Sequence, residues 1–570
     1  MSIPRPEHPR PRFMRESWQN LNGPWQFAVG EEAASIADPF PRTITVPFCP
    51  EAALSGVGIT DFMKLVWYKR TFTLPPVTGR VLLHFGAVDY AAAVYINGQP
   101  AGTHRGGYSS FSFDITSLVK EGENQVALRV EDDLWSGRQP RGKQCPHRES
   151  RGCDYTRTTG VWQTVWLEFV PAVYLRSVRQ QPDWQAGSLT FTTRIAGGDP
   201  AGLTLRVTLW EGEREAARYE GPAALCNVFT LRPDSPRLWD PADPFLYGVT
   251  YELLRQGETA DRVTGYAGIR GVELKNGCLH INGRPVFQRL VLDQGFYPEG
   301  IYTAPTEEDL IRDITLSLDL GFNGARLHQK VFEERFLYHC DRLGYLVWGE
   351  QGNWGLNYDD PSVLGPFLQE WLEVVERDFD HPALIGWCPF NEVNKGDGPI
   401  ENGDILRTVY LTTKALDPTR PVIDVSGFFH LYPTDLYDTH DYDQDVAHFK
   451  EKYAAVREAG AVDPHWYGQQ YDGALPLFVS EYGGARYSLA EGNGWGYGDA
   501  PADAAAFADR YVGLTETLLQ NPRICGFCYT QLYDIEQEQN GLYTYPRGRK
   551  FPPEIYDRIR ECNTQKAAIE

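Results

Sequence analysis

The feature that most constrains this chain is a change of rhythm near residue 275. Beyond that point, short apolar segments typical of buried strands alternate with segments that have the period of amphipathic helices. The clearest helix begins at Thr306, with Asp309 in a capping-box position and apolar residues of 310–318 along one face. Eight strand segments with helices between them predict a (β/α)8 TIM barrel over 275–570. The strand segments are 284–292, 322–328, 345–350, 384–392, 421–427, 435–442, 475–483 and 524–532.

Upstream of the barrel the chain reads as strands without long helices. Residues 1–171 contain short alternating runs, among them VWYKRTFTL and NQVALRV, and turn signals such as Asn97-Gly98 separate them. Residues 172–274 continue with SLTFTTRIA, LTLRVTLWE and LYGVTYELL, at the size of one immunoglobulin-like β-sandwich. We therefore predict a jelly-roll sandwich over 1–171, an immunoglobulin-like sandwich over 172–274 and the barrel over 275–570.

Net charge limits the partners of the chain. Lys and Arg total 54 while Asp and Glu total 76, which gives a net charge of −22. Nucleic acids and anionic membranes attract clustered positive charge, so we expect neither as a partner. The opening residues MSIPRPEHPRPRF lack the apolar run of a secretory signal, and ten scattered cysteines fit reduced thiols. These features predict a cytoplasmic protein.

The sequence offers little sign of a metal or cofactor. Cys525 and Cys528 lie in ICGFCYT, which has the character of a buried strand, so their side chains are expected on opposite faces. A structural role is the simpler interpretation than a redox or zinc site. Because no cluster of His, Cys and Asp at ligand spacing appears elsewhere, we predict no metal and no cofactor.

Ionisable residues concentrate at the carboxyl ends of the predicted barrel strands, where barrels of this kind carry their active sites. Strand four ends in Asn391-Glu392 and strand seven ends in Glu481-Tyr482. Further residues at strand ends are Arg326, His328, Glu350, His440 and Tyr442. The topology predicts that they converge on one mouth.

Two carboxylates that face each other across a pocket supply what cleavage of a glycosidic bond needs. One protonates the leaving oxygen, and the other attacks the anomeric carbon or activates water. Glu392 follows the largely apolar segment LIGWCPF, a setting that favours the protonated form and suits a general acid. Arg326 and Tyr442 are candidate donors that would keep Glu481 ionised as a nucleophile.

Each of these residues also has a structural interpretation when it is taken alone. Glu392, Glu481 and Glu350 each fit an ion pair or a helix start, and His440 fits a hydrogen-bonded core histidine. The functional interpretation gains weight because Glu392 and Glu481 both end strands of the same predicted barrel.

Several segments resemble glycoside hydrolase family 2, the family of β-galactosidases, β-glucuronidases and β-mannosidases. In chain order they are RESWQNLNGPWQF, TGVWQTVWLEFVP, LWDPADPFLY, YAGIR, NGARLH, CDRLGYLVWGE, GWCPFNEV and VSEYGG. The resemblance covers nearly the whole chain. It implies a sugar-binding-like first domain and a retaining exo-glycosidase that acts on an oligosaccharide or other glycoside.

The resemblance also implies roles for single residues by motif match. Glu392 would be the acid/base and Glu481 the nucleophile that forms a covalent glycosyl-enzyme. Asn391 would hydrogen-bond the sugar 2-hydroxyl, and Tyr442 would touch the nucleophile. The other residues expected to line the substrate pocket are Arg326, His328, His440 and Glu350.

Departures from the family pattern bear on the substrate. β-Glucuronidases of this family carry an Asn-x-Lys that holds the sugar carboxylate, and the corresponding stretch here, GLYTYPRGRK after Asn540, lacks it. Strand one ends in Asp293-Gln294, so we expect Asp293 to contact sugar hydroxyls, and Tyr529 stands where a Trp platform is usual. We therefore expect a β-galactoside or related neutral glycoside as substrate. The runner-up is an α-L-arabinofuranosidase or arabinopyranosidase, and a non-catalytic carbohydrate-binding protein is the third alternative.

Two loops rich in glycine and aromatic residues, 351–360 and 492–499, have two interpretations. Trp354 in the first loop is expected on the aglycone side of the pocket. Either loop could instead contact another subunit, because homo-oligomers are common in the family.

Overall fold

The computed structural model describes residues 3–76, 78–393, 403–428, 430–459, 471, 473–489 and 494–570. Over these residues the chain forms two antiparallel sandwiches and then a curled parallel sheet with helices around it. The predicted fold class of jelly-roll sandwich, immunoglobulin-like sandwich and TIM barrel is confirmed. The domain limits at residues 171 and 274 stay predictions.

The first domain packs a four-stranded sheet against a six-stranded sheet. Its strands are β1 (Trp18–Asn20), β2 (Gly23–Val29), β3 (Arg42–Val46), β4 (Leu65–Leu74), β5 (Arg80–Phe85), β6 (Val88–Asp89), β7 (Ala91–Ile96), β8 (Gln99–Arg105), β9 (Phe111–Asp114), β10 (Gly122–Glu131), β11 (Gly160–Val161) and β12 (Val165–Val170). At the centre of the larger sheet, β4 and β10 pair antiparallel over their whole length. Val66 and Leu128 on these strands share one buried core with Leu83 and Leu167 of the smaller sheet, because alternate residues of a strand face the same side.

The second domain packs a three-stranded sheet against a four-stranded sheet. Its strands are β13 (Tyr174–Asp183), β14 (Ser188–Ala196), β15 (Leu203–Glu211), β16 (Arg214–Pro222), β17 (Cys226–Leu231), β18 (Tyr247–Arg255) and β19 (Glu258–Ala267). Leu205, Val207 and Leu209 on β15 alternate into the core, where they meet Phe191 and Leu189 of β14. The alternating apolar pattern of the sequence therefore corresponds to the buried face of each sheet.

The barrel follows a small antiparallel sheet of three strands, β20 (Val272–Lys275), β21 (Cys278–Ile281) and β22 (Arg284–Val286). Its parallel strands are β23 (Gln288–Asp293), β24 (Gly324–Leu327), β25 (Leu346–Glu350), β26 (Leu384–Cys388), β27 (Tyr437–Asp441), β28 (Leu477–Tyr482) and β29 (Ile524–Tyr529). They lie in the order β26-β25-β24-β23-β29-β28-β27, and every neighbouring pair is parallel. Six of these strands lie within predicted segments, and β23 overlaps the segment 284–292 and ends one residue beyond it.

The fifth predicted strand, 421–427, differs from the others. It meets the β26 region at two isolated parallel bridges, Trp387 with Val422 and Asn391 with Ser426. On the side away from β26, the backbone N–H groups of the segment donate to side chains and not to a neighbouring strand. The N–H groups of Val422, Asp424 and Gly427 donate to the side chains of Asp435, Thr434 and Asp438, respectively. The segment therefore joins β26 to the residues around β27 without forming a continuous strand.

Seven α-helices accompany the barrel strands in the described part of the chain. They are α1 (Glu307–Asp319), α2 (Glu334–Leu343), α3 (Leu364–Asp378), α4 (Asp404–Leu416), α5 (Val446–Ala459), α6 (Ala504–Leu519) and α7 (Pro553–Asn563). The predicted capping box of α1 is confirmed, since Thr306 and Asp309 bind each other's backbone N–H groups. Leu310 and Ile314 are buried on the face of α1 that the period predicted.

All ten cysteines are free, and Cys525 and Cys528 are buried on β29, as the structural interpretation predicted. Among the described residues, no helix has the length and apolar character needed to cross a membrane. The cytoplasmic location, the lack of a nucleic-acid partner and the homo-oligomer stay predictions.

Candidate active site

The carboxyl ends of the barrel strands bring most of the predicted site residues into one connected cluster. Its members are Arg326 on β24, His328 just after it, Glu350 on β25, Asn391 and Glu392 after β26, His440 on β27, Tyr442 just after it, and Glu481 on β28. Parallel strands end at the same edge of a barrel, which is why residues spread over 326–481 meet there.

Glu481 lies at the centre of this cluster and is buried. Its Oε1 accepts a hydrogen bond of 3.0 Å from Arg326 Nη1, and its Oε2 accepts one from the Tyr442 hydroxyl. His440 Nε2 lies 3.5 Å from Oε1. Burial by itself raises the pKa of Glu481, but the positive charges of His440 and Arg326 and the Tyr442 hydrogen bond outweigh it and lower the pKa to about 2. Glu481 is therefore a carboxylate at neutral pH.

Arg326 is fully buried and orients several polar groups at once. Its Nη2 donates to Glu350 Oε2 at 2.9 Å and to Asn391 Oδ1 at 3.0 Å, and its Nη1 also donates to the Ser480 carbonyl at 2.8 Å. The other oxygen of Glu350 lies 2.9 Å from His328 Nδ1. Burial lowers the pKa of His328 well below its usual value, so this imidazole is neutral and its Nδ1–H donates to Glu350. Glu350 thus holds Arg326 and His328 in place.

Glu392 reaches the cluster from the bend after β26. Its φ of 49° lies in the left-handed region, and its N–H donates to the Ser426 carbonyl at 2.9 Å. The apolar residues that precede it are buried in the barrel, whereas its own side chain is 17% exposed, and its Oε1 lies 2.7 Å from His440 Nδ1. Burial alone lowers the pKa of His440, but the charges of Glu481 and Glu392 outweigh it and raise that pKa. His440 therefore lies between the carboxyl groups of Glu392 and Glu481, so Glu392 faces a polar group in place of the apolar setting that the sequence predicted.

The two glutamates are close together. One carboxylate oxygen of Glu392 and one of Glu481 lie within 4.8 Å of each other and of a ring nitrogen of His440. Carboxyl groups are about 5–5.5 Å apart in retaining glycosidases and about 6.5–9.5 Å apart in inverting ones. The nearest oxygens of Glu392 and Glu481, within 4.8 Å of each other, fit the shorter of these two separations.

Glu392, His440 and Glu481 also form a group of potential metal ligands among the described residues, whereas the sequence predicted no metal. His440 already bridges the two carboxylates, and Glu481 already accepts from Arg326 and Tyr442. Protein donors therefore hold the oxygen atoms that a cation would bind. These contacts favour acid–base and nucleophilic roles, and the prediction of no metal and no cofactor stays a prediction.

The loop after β25 fixes Asn391. Asn353 Oδ1 accepts the Asn391 N–H at 2.9 Å, and Trp354 Nε1 donates to the Asn391 carbonyl at 3.2 Å. Arg326 occupies the side-chain oxygen of Asn391, while its buried Nδ2 has no partner among the described residues. The site therefore holds an unused amide donor beside Glu392.

Tyr529 lies outside the cluster, so its predicted role as a platform finds no support in its contacts. Its ring packs against Tyr482 and against Tyr511 of α6, with ring centroids 5.5 and 4.8 Å apart. Side chains alternate along a strand, and Tyr529 has the parity that faces the helices. Its neighbour Thr530 has the opposite parity, and its hydroxyl lies 3.3 Å from that of Tyr442.

Asp293 is buried and bound within the protein. Its Oδ1 accepts hydrogen bonds from the Tyr533 hydroxyl at 2.5 Å and from the Gly295 N–H at 3.0 Å. Burial and the charge of Asp313 raise its pKa to about 6. These contacts tie β23 to the loop after β29, and no contact joins Asp293 to Glu392 or Glu481, so the expected contact with sugar hydroxyls finds no support.

The loop 492–499 is described only from residue 494 onward, and residues 492 and 493 lie outside the described residues. Tyr497 stacks on Tyr442 with ring centroids 3.4 Å apart. Trp495 Nε1 donates to the carbonyl of Gly152 in the first domain at 2.5 Å. This part of the loop thus borders the site and contacts the first domain.

A first-domain loop that sequence reasoning missed also borders the site. This segment, residues 139–157, is called the mouth loop below. Its Tyr155 hydroxyl donates to Glu538 Oε2 at 2.5 Å, and its Lys143 Nζ lies 3.8 Å from the centroid of the Trp354 ring. The Tyr155–Glu538 bond joins residues 383 positions apart, so no local pattern reveals it. The basic run RGKQ and the acidic run EQEQ were the only signals in the sequence.

An ionised carboxylate, a second carboxyl group beside an imidazole and an unused amide donor define the chemistry of the cluster. A carboxylate pair at the retaining spacing, at the end of a barrel that follows two sandwiches, defines the class of multidomain glycoside hydrolases.

Family models identify the particular family. The model of the glycosyl hydrolases family 2 sugar binding domain matches residues 18–171, and the model named glycosyl hydrolases family 2 matches 173–270. The model of the family 2 TIM barrel domain matches 272–511. The chain belongs to glycoside hydrolase family 2, and the resemblance found in its motifs is confirmed.

Single relatives are more distant. The β-galactosidase of Thermoanaerobacter pseudethanolicus is 27% identical over 386 residues, which cover 63% of this chain and 48% of that protein. The β-galactosidase of Pseudoalteromonas haloplanktis is 27% identical over 443 residues, which cover 74% of this chain and 40% of that protein. The chain thus spans less than half the length of these curated relatives. The solved β-glucuronidase of Bifidobacterium dentium, complexed with coumarin-3-O-glucuronide, has a TM-score of 0.80 at 21% identity, with 98% of this chain and 99% of that chain covered. That likeness concerns the fold.

Proposed function

We propose that this protein is a retaining exo-glycosidase that removes a terminal non-reducing sugar from an oligosaccharide or other glycoside. The observation that carries the proposal is the pair Glu392 and Glu481, whose nearest oxygens lie within 4.8 Å. Glu481 is held ionised, and Glu392 lies beside His440. Double displacement needs this combination of a nucleophile and an acid/base.

In the first step, Glu481 attacks the anomeric carbon while Glu392 gives its proton to the leaving oxygen. A covalent glycosyl-enzyme forms on Glu481 and the aglycone departs. In the second step, Glu392 takes a proton from water, the water oxygen attacks the anomeric carbon, and Glu481 is released as a carboxylate. His440, hydrogen-bonded to Glu392, is placed to stabilise its carboxylate form between the two steps.

Two further groups fit this reaction. The unused Nδ2 donor of Asn391 is available to the sugar 2-hydroxyl, and a hydrogen bond there strengthens in an oxocarbenium-like transition state. Arg326 and Tyr442 hold the two oxygens of Glu481, so the nucleophile is oriented before substrate arrives. The mouth loop borders the site, which supports action on a chain end.

For the substrate, we propose a β-galactoside or related neutral glycoside. The Asn-x-Lys that holds a uronate in β-glucuronidases is absent, and Glu538, an acid, precedes Asn540 in that stretch. The curated relatives described above are β-galactosidases. An α-L-arabinofuranosidase or arabinopyranosidase remains the second candidate, and a non-catalytic carbohydrate-binding protein ranks below both, because both carboxylates are present.

Initial rates on aryl glycosides test the proposal. The panel holds the β-galactoside, β-glucoside, β-glucuronide, β-mannoside, α-L-arabinofuranoside and α-L-arabinopyranoside. We expect one clear neutral substrate, and we expect Glu481→Gln to lower kcat by roughly 10⁴-fold or more because the nucleophile is lost. The matched control is Glu168→Gln. Glu168 is also a buried glutamate paired with an arginine, but it lies in the first domain, far from Glu481 in the sequence.

The outcomes separate the candidates. Hydrolysis of the β-glucuronide alone would overturn the neutral substrate, and an arabinoside alone would select the second candidate. Full activity of Glu481→Gln would overturn the assigned nucleophile, and a folded protein that binds sugars without cleaving any member of the panel would favour the binding protein.

A further inference from the structure

We propose that Lys143 of the first domain and Glu538 of the barrel form a donor–acceptor pair that binds hydroxyl groups of a neutral terminal sugar and excludes a uronic acid. The inference rests on the proposed function and deepens it. Lys143 comes from one domain and Glu538 from another, so neither domain alone would select the sugar.

Lys143 is a buried cation without a protein acceptor. Its residue is 6% exposed, and its Nζ lies 3.8 Å from the centroid of the Trp354 ring. Among the described residues, the Trp354 ring is the group that lies against this ammonium, and no oxygen atom accepts a hydrogen bond from it or forms an ion pair with it. Buried lysines are rare unless they are paired, and the face of an aromatic ring replaces only part of the lost hydration. The three N–H donors of Lys143 are therefore available to a ligand.

Glu538 is a buried acceptor with capacity to spare. Its residue is 2% exposed, its Oε2 accepts from the Tyr155 hydroxyl at 2.5 Å, and its Oε1 accepts from Asn540 Nδ2 at 2.9 Å. A carboxylate oxygen has two lone pairs, so each oxygen of Glu538 can accept one more hydrogen bond. The bonds to Tyr155 and Asn540 fix the carboxylate from both sides.

Both side chains lie within electrostatic reach of the catalytic carboxylates. Burial lowers the pKa of Lys143, but the neighbouring Cys153, Glu538, Glu392 and Glu481 outweigh burial and raise that pKa. Burial raises the pKa of Glu538, and Lys143 opposes the increase. Tyr155 links the two residues, because its N–H donates to the Lys143 carbonyl at 2.7 Å and its hydroxyl donates to Glu538.

The chemistry of this pair distinguishes a hydroxyl from a carboxylate. A hydroxyl accepts a hydrogen bond from Lys143 and donates one to Glu538, so it satisfies both groups. A sugar carboxylate only accepts, and beside Glu538 it would face a like charge in a buried setting. The pair therefore fits a neutral polyol, because Glu538 repels the carboxylate that Lys143 alone would attract.

The test compares Lys143→Met and Glu538→Gln with wild type on the preferred aryl glycoside, its monodeoxy analogues and the matching uronide. We expect Lys143→Met to lower kcat/KM about 10–100-fold on the parent glycoside, and by less than about 3-fold on the analogue that lacks the bound hydroxyl. We expect Glu538→Gln to raise the ratio of uronide to parent turnover at least about 10-fold, because the repelling charge is gone. Lys69→Met is the matched control, since Lys69 is also 6% exposed and lies over an aromatic ring, Phe40, away from the barrel mouth.

Calorimetric titration with the neutral sugar lactone separates this proposal from the proposed function, because it measures binding without turnover. Weaker lactone binding by Lys143→Met, with unchanged binding by Lys69→Met, supports the pair even if wild type hydrolyses nothing. Equal losses on every deoxy analogue, no change in the uronide ratio, or lactone binding that Lys143→Met leaves intact would overturn it. Thermal melting of each variant shows whether a loss comes from unfolding instead.

Discussion

At the residue scale, the site depends on how Glu481 stays ionised while buried. Removal from water opposes its charge, and Arg326, His440 and Tyr442 reverse that effect with hydrogen bonds and positive charge. The residue types were predictable from the sequence, because each ends a strand. The contacts of His440 were not predictable, since they depend on two glutamates that approach from β28 and from the bend after β26.

Tyr442→Phe tests this balance with the loss of one oxygen atom. Glu481 must be ionised to attack, so activity is lost as the pH falls through its pKa, which is about 2 in the wild type. The variant loses a hydrogen bond that lowers this pKa, so we expect the acid limb of kcat/KM to move to higher pH, and kcat/KM at neutral pH to fall about 10–100-fold. A pH–rate profile checks both. An acid limb that stays in place would contradict the role of Tyr442. The variant keeps the aromatic ring that stacks on Tyr497, so the packing at this position is retained.

At the element scale, the segment 421–427 marks the limit of prediction from periodicity. Seven of the eight predicted strands were correct, because their apolar runs match a buried parallel sheet. The fifth has a similar composition, but side chains hold it in place. His430 is one of these side chains. Its Nδ1 lies 2.6 Å from Asp424, and its Nε2 lies 3.2 Å from Asp438 of β27. Hydrogen bonds of this kind leave no repeating signal in a sequence.

His430 predicts a pH-dependent stability. Burial alone lowers its pKa, but Asp424 and Asp438 raise it to about 9 from the ordinary 6.5. The stabilisation is complete below about pH 6.5 and is lost as the pH rises through about 9. We expect His430→Gln to lower Tm most near pH 6 and to differ least from wild type above pH 9.5, as measured by differential scanning fluorimetry. A difference that grows with pH would contradict a charged His430.

At the scale of the whole molecule, residues of the first domain contact the barrel beside the candidate active site. Sequence patterns predicted three units and the barrel site, yet not the mouth loop, because Tyr155 and Lys143 act on residues hundreds of positions away. Arg15 shows the same principle in the scaffold. It is buried, and it binds Glu168 of the first sandwich at 2.8 Å and Asp261 of the second at 3.0 Å.

Arg15→Met is expected to weaken this joint without touching the site. The substitution leaves two buried carboxylates without their cation, which costs roughly 3–5 kcal/mol of unfolding free energy. We expect a lower melting temperature in calorimetry and unchanged kcat/KM at 25 °C. The matched control is Arg206→Met, which breaks a more exposed pair with Glu220 and should lower the melting temperature much less. Equal effects of the two variants would contradict a structural role for Arg15.

The central claim is that Glu392 and Glu481 hydrolyse a glycoside with retention of configuration. The most direct test is to follow the reaction on the preferred substrate by proton NMR and to identify the anomer released before mutarotation. We expect the first sugar released to have the same anomeric configuration as the substrate, because two displacements occur at one carbon. Release of the opposite anomer would contradict this mechanism. It would mean that water displaces the aglycone in a single step, with one glutamate as the acid and the other as the base.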